Sequence, residues 1–235
     1  MISIIRREIN EYKKNTLLLI AAGVIMLYSG LRFWGTLYSR EINNVTQVYS
    51  NNTFILLLFI PLLTMSSFAK EKADGTDRIL FSSSMPMNRV AIGKFLAAFL
   101  VFMLFSFVSM IIPSILMVFY GRYWIEVVFL LIGLFMLGSI VCSFGIFLSS
   151  LSTHEYRAFL VTVAGLFVWW MMDTLMPYVG NAFVKAVFYV VSIFSRYKIF
   201  EYGVLSFSTL IYYVSITAVF LMMSIQSLLI WRQRR

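Results

Sequence analysis

The sequence predicts an all-α integral membrane protein with six transmembrane helices, and three observations carry that prediction. Hydrophobic residues make up 61% of the chain and charged residues 12%, about half the charged share that a soluble domain uses to keep its surface wet. Mean hydropathy is +0.88, so lipid rather than water faces most of the surface. The apolar residues also gather into long runs joined by short polar stretches. A chain of 235 residues supplies roughly six or seven spans of about 20 residues with little left over. A single membrane domain over residues 1–235 follows.

The first element is a helix lying in the membrane interface over residues 1–15. Ile2, Ile5, Ile9 and Tyr12 recur at helical spacing, and Arg6, Arg7, Glu8, Glu11, Lys13 and Lys14 fill the other side. The charged stretch ahead of the first apolar run, with no small-residue cleavage site after it, does not read as a signal peptide. The first span is expected from about Thr16 to Leu37, with Arg32 near its far end. A polar connection, Tyr38 to Thr53, leads to a short second span, Phe54 to Ala69, that contains Pro61.

Then comes the one long run in which charges are dense, KEKADGTDRILFSSSMPMNRVAIGK from Lys70 to Lys94. Its first part, Ser66 to Ser84, has helical content. Gly75 suggests a bend, Pro86 closes any helix before it, and Asn88 caps the next one. A plain connector between spans is far shorter. A mixed-charge helix with a few apolar residues suits docking into a groove on a soluble partner. The residues expected to do so are Lys70, Glu71, Asp74, Gly75, Thr76, Asp77, Arg78 and Leu80.

The third span is expected at Phe95 to Tyr120, with Pro113 as a kink. The fourth, Val127 to Leu151, places Gly138, Cys142, Gly145 and Ser149 on one small-residue stripe, a packing face for a neighbouring helix. The turn Ser152 to Arg157 and a fifth span, Ala158 to Tyr178, follow. Val179 to Phe194 is apolar but too short to cross, so residues 179–200 read as a re-entrant or interfacial segment on the outer side. The sixth span is Ser208 to Ile230.

Basic residues orient this arrangement. With the N-terminus inside and six spans, thirteen of the nineteen Lys and Arg residues flank the inner side, including Lys70, Lys72, Arg78, Arg89, Lys94 and Arg232. Both termini are then cytosolic, and the Lys70–Lys94 run is too. The net charge of +9 belongs to these flanks rather than to a nucleic-acid interface.

Chemistry-bearing motifs are scarce. Gly93-Lys94 is followed by Phe95 and preceded by no glycine at the required spacing, so the chain has no ATP-cradling phosphate loop. No CxxC, HExxH or GxSxG occurs, Cys142 is the single cysteine, and His154 stands alone in a turn. Fourteen methionines suit flexible apolar packing better than copper. No metal site, cofactor or enzymatic activity is expected. Three ionisable residues near span ends, Arg32, Glu126 and Asp173, read either as anchors in the membrane interface or as an outer gate or cavity mouth, with Glu126 one turn from Arg122. No acidic residue is expected at mid-membrane, which argues against an ion-coupled carrier.

Two stretches carry a family likeness. One has Glu71, Gly75-Thr76, Ile79-Leu80, Ser84-Met85-Pro86, Arg89 and Gly93-Lys94. The other has Phe200, Gly203-Val204, Tyr212-Tyr213, Phe220-Leu221, Ser227-Leu228 and the basic close Arg232 to Arg235. In these the chain resembles the type-2 ABC exporter permeases. That resemblance implies a cytosolic coupling helix within residues 66–94 and outer re-entrant helices before the last span. It also implies a dimer with a second copy or a paralogue, and two separate ATPase subunits that bind ATP and Mg. The expected role is then the permease subunit of an exporter in a bacterial plasma membrane. Its cargo would be hydrophobic or amphipathic: a peptide, a lipid-like molecule or a drug. The alternative is a non-transporting membrane scaffold or an immunity-type protein.

Overall fold

A computed structural model describes residues 2–38, 45–76, 86–119 and 124–233. Among them every regular element is helical. The chain runs α1 (Ile2–Lys14), α2 (Thr16–Tyr38), α3 (Val45–Leu57), α4 (Phe59–Thr64), α5 (Ala69–Ala73), α6 (Met87–Phe119), α7 (Trp124–Leu151), α8 (Glu155–Leu175), a 3₁₀ turn (Met176–Tyr178), α9 (Ala182–Val191), α10 (Phe194–Glu201) and α11 (Phe207–Gln233).

Six stretches are long and apolar enough to cross a membrane: Thr16–Gly35, Asn52–Ala73, Met87–Ile111, Val127–Leu151, Glu155–Leu175 and Phe207–Gln233. The chain is a multi-pass membrane protein. The α3–α4 pair, α6 and α7 form the inner layer, with most of their side chains buried. The outer layer, α2, α8 and α11, displays Leu27, Trp34, Leu160, Val168, Ile211 and Val214 outward. In water that surface would aggregate; in a bilayer it is the surface that lipid requires.

The boundaries differ from the sequence expectation where polar residues lie inside helices. The second span is preceded by helix from Val45, because VTQVYSNNT continues the helical path instead of forming a loop. It breaks at Leu58, three residues before Pro61, which offers no N–H to the turn below it. The third helix starts at Met87 rather than Phe95 and continues through Pro113 to Phe119. Asn88 is therefore inside the helix and is not its cap. Pro86, just before α6, marks the start. The fifth span begins at Glu155 instead of Ala158, with His154 exposed at the cap position.

The small-residue stripe on α7 is a packing face, as expected. A Cβ on Gly138 would lie 2.1 Å from the Phe102 ring, and one on Gly145 would lie 2.2 Å from Thr64 Oγ1. Between them Cys142 is fully buried. These absent side chains let α6 and α4 press against α7, the close approach that holds helices together where no hydrophobic drive between them exists.

Two ends of the bundle can be told apart. At one end meet α1, α5, the start of α6 and the last turns of α7 and α11, through the contacts of Lys94, Ser149 and Trp231. At the other end α10 and the turn before it are held by Thr53, Asp173 and Tyr213. α9 has 10 residues and is about 15 Å long, half of what a hydrocarbon core demands. Residues 179–200 therefore stay at one end of the bundle, as two short helices in succession broken at Ser192 and Ile193.

Candidate functional site

The densest polar construction lies at the α1–α5 end, and it is assembled around Lys94. This side chain is 3% exposed. Its Nζ lies 2.9 Å from Glu8 Oε1 and 2.9 Å from Glu71 Oε1. It also donates to the Ser67 carbonyl and sits 4.9 Å from the centre of the Phe68 ring. One ammonium thus ties α1, the α4–α5 turn, α5 and α6 together. Arg7 stands at the rim, 3.7 Å from Glu71 and 3.1 Å from Glu11.

The local sequence explains this placement. α1 has an apolar stripe, and Glu8 shares its face with Ile5 and Tyr12 at i+3 and i+7. The sequence reading put Glu8 with the charges of the opposite side. In the structure it turns inward, because Ile4, Ile5, Ile9 and Tyr12 pack on the core and Lys94 supplies the counter-charge. Ile2, counted with the apolar face, is 82% exposed. Burial pushes the Glu8 carboxyl above its usual range, and the Lys94 ammonium pulls part of the way back.

A second set of bonds seats α5 on α7 and α11. Ser149 Oγ accepts from the Phe68 and Ala69 amides at 3.0 and 3.1 Å and donates to the Met65 carbonyl at 3.2 Å. It thereby satisfies two amides that a helix start leaves open. Lys72 donates to the Ser150 carbonyl and lies 4.5 Å over the Trp231 ring. Ser227 Oγ reaches the same Ser150 carbonyl at 3.4 Å.

The eight expected docking residues divide accordingly. Lys70, Asp74, Gly75 and Thr76 are exposed. Gly75 has φ of +69° and ends α5, as the expected bend requires. Glu71 faces inward onto Lys94. Asp77, Arg78 and Leu80 lie outside the described residues, so helical content is seen only over Ala69–Ala73. Beside α5, the turn into α8 exposes His154, Tyr156 and Arg157. The His154 ring stacks on Tyr156 at 5.7 Å, with the Arg157 guanidinium 5.8 Å from the same ring.

Of the three residues expected at a gate, Asp173 is placed in detail. Its carboxylate lies 3.1 Å from Lys198 Nζ and accepts from Ser192 Oγ at 3.1 Å. Arg32 is exposed on α2. Glu126 lies in α7 with its side chain outside the described set, and Arg122 lies outside the described residues. Around Asp173 the end of the bundle is closed by aromatic bonding. Tyr213 donates to the Ile193 carbonyl at 2.8 Å and Tyr212 to the Val190 carbonyl at 2.7 Å. Arg196 lies 3.8 Å from the Tyr212 ring centre.

α5 has a charged, exposed outer side and an inner side joined by ion pairs and hydrogen bonds to α1, α6 and α7 and by a cation–π contact to α11. Compared with known proteins, the chain matches no family model and no curated protein.

Proposed function

We propose that this protein is the permease subunit of an ATP-driven exporter, with α5 as the element that a separate ATPase grips. The observation that supports this reading is the division of α5. Lys70 and Asp74 face out while Glu71 and Lys72 anchor to α1, α6, α7 and α11. A plain connector has no reason to be welded on one side and charged on the other.

The end that carries α1 and α5 is then cytosolic, in line with the excess of Lys and Arg there, and α9–α10 are the outer helices. Two copies, or this chain and a paralogue, would face each other in a bacterial plasma membrane. Two ATPase subunits with their ATP and Mg would sit beneath. Closure of the ATPase pair would press on α5, and the Lys94 knot would carry the displacement into α1 and α6. The outward apolar surface and the low charge of the spans favour a hydrophobic or amphipathic cargo.

Affinity purification of the tagged protein from its own membranes tests this. The reading expects a nucleotide-binding ATPase in stoichiometric amount. Lys70→Glu with Asp74→Lys should then release the ATPase while the permease still folds. An unaltered complex in that variant would move the docking site elsewhere, with the exposed Ser152–Arg157 turn next in line. A protein that purifies without any ATPase would favour the scaffold or immunity-type reading.

A further inference from the structure

Buried polar side chains in a membrane helix normally find a partner, often a carbonyl of their own helix. Ser114, Ser139, Ser143, Thr53, Thr64 and Thr162 all do so here, at 2.6 to 3.0 Å. Ser224 Oγ on α11 does not, and neither do three residues of α3 and α6. Asn52 is 1% exposed, and neither its Nδ2 nor its Oδ1 has a protein partner; Ser106 Oγ and Ser109 Oγ are buried in the same condition.

These residues follow one another along the same part of the bundle. Tyr49, Asn52, Leu56 and Phe59 repeat at i, i+3, i+7 and i+10, each 1% exposed or less, and so form one buried stripe. Both ends of the stripe touch α6. Tyr49 Oη is 2.7 Å from Ser114 Oγ, and the Phe59 ring is 4.2 Å from the Phe105 ring. The two strips are antiparallel, so Asn52, three residues beyond Tyr49, is level with about residue 111 of α6. Ser109 lies close to that level, and Ser106 about one turn beyond it along the same helix. Pro113 adds to the deficit, since it has no N–H to give to the Ser109 carbonyl. One amide, two hydroxyls and a freed carbonyl thus share a stretch of the α3–α6 seam. The polar groups beside it, Tyr49, Thr53 and Tyr197, are neutral as well.

We infer that the seam between α3 and α6 at Asn52, Ser106 and Ser109 is a binding site for a neutral hydrogen-bonding group, which is either ordered water or an amide or hydroxyl of a bound molecule. An amide that both donates and accepts, flanked by two rotatable hydroxyls, suits a guest with both capacities. The neutral surroundings disfavour an ion, whose charge would stay uncompensated. Leaving four such atoms bare would cost several times the net worth of a hydrogen bond.

The test uses the full chain in detergent micelles. Removing a stranded amide is neutral or stabilising, whereas removing one that holds a guest is destabilising. Asn52→Leu is expected to lower the melting temperature by roughly 2–4 °C. The milder Ser106→Ala/Ser109→Ala protein is expected to move it the same way, and it decides the sign if the leucine variant does not fold. In a Cys142→Ala background, Ser109→Cys is converted to a thiocyanate. Its nitrile stretch should lie at the hydrogen-bonded position, shifted from that of the same label at the dry position of Leu137→Cys. A rise in melting temperature, or a nitrile at 109 that matches the one at 137, overturns the site. Native mass spectrometry separates the two sources. A bound mass present in the unmodified protein and lost in Asn52→Leu identifies a molecule, and no bound mass identifies water.

Discussion

Lys94 Nζ is equidistant, at 2.9 Å, from Glu8 of α1 and Glu71 of α5. Two carboxylates from elements more than sixty residues apart in sequence therefore share one buried ammonium. A buried pair seldom adds much over a well-packed apolar substitute, but breaking one leaves an uncompensated charge. The relationship thus makes the position of α5 dependent on α1 and α6.

Lys94→Met is expected to destabilise the protein by about 3–5 kcal/mol, since it leaves Glu8 and Glu71 buried without their cation. Adding Glu8→Gln and Glu71→Gln should restore most of that loss. Thermal unfolding followed by tryptophan fluorescence measures both. A single Lys94→Met variant that melts with the parent would show that the ammonium is not the tie.

The Glu8 carboxyl carries a pH signature. Its folded pKa is raised above the usual 4.5, chiefly by burial. The native state then holds more protons than the unfolded state, and stability falls as pH rises. The contribution is fully present below 4.5 and is lost as pH climbs through the raised folded value. Melting temperature against pH should show this decline, and Glu8→Gln should flatten it. An identical slope in both proteins would assign the decline to another group.

Glycine substitutions should divide by environment. Gly145→Ala places a methyl 2.2 Å from Thr64 Oγ1, and overpacking of this kind costs about 1–3 kcal/mol. Gly30→Ala on α2 meets nothing within 4 Å and should be neutral or gain roughly 0.5–1 kcal/mol from helix propensity. Equal losses at the two sites would contradict the packing of α4 on α7.

At the opposite end, two contacts to the α9–α10 region should differ in worth. Lys198 is 56% exposed in its pair with Asp173, so Lys198→Met should cost under about 1 kcal/mol and less at high salt. Tyr213→Phe strands the buried Ile193 carbonyl that its hydroxyl reaches at 2.8 Å, at a cost of about 1–3 kcal/mol. Melting temperatures at low and high salt rank the two; a larger, salt-sensitive effect at Lys198 would reverse the assignment.

The six apolar runs, the packing stripe Gly138–Cys142–Gly145–Ser149, and the bend at Gly75 were legible in the residues. Each depends on local composition or on period alone. Transfer of apolar side chains to lipid needs no partner within the chain, and the stripe needs only the helical repeat. Helix boundaries were less legible. Asn51, Asn52 and Thr53 look like a loop, yet they lie within helix, where Thr53 satisfies its hydroxyl on the Tyr49 carbonyl of the preceding turn.

Hydropathy, length and spacing alone give the helical membrane class, six runs apolar enough to cross, the charged run between the second and third of them, and the lack of a phosphate loop. Packing of the helices sets which charges are joined and which face outward. It sets Glu8 and Glu71 on Lys94, leaves Lys70 and Asp74 outside, and leaves Asn52, Ser106 and Ser109 without protein partners. A charge is equally polar in any sequence position. Whether it meets water or a counter-ion depends on which helices cross beside it, and that is a property of the packed bundle alone.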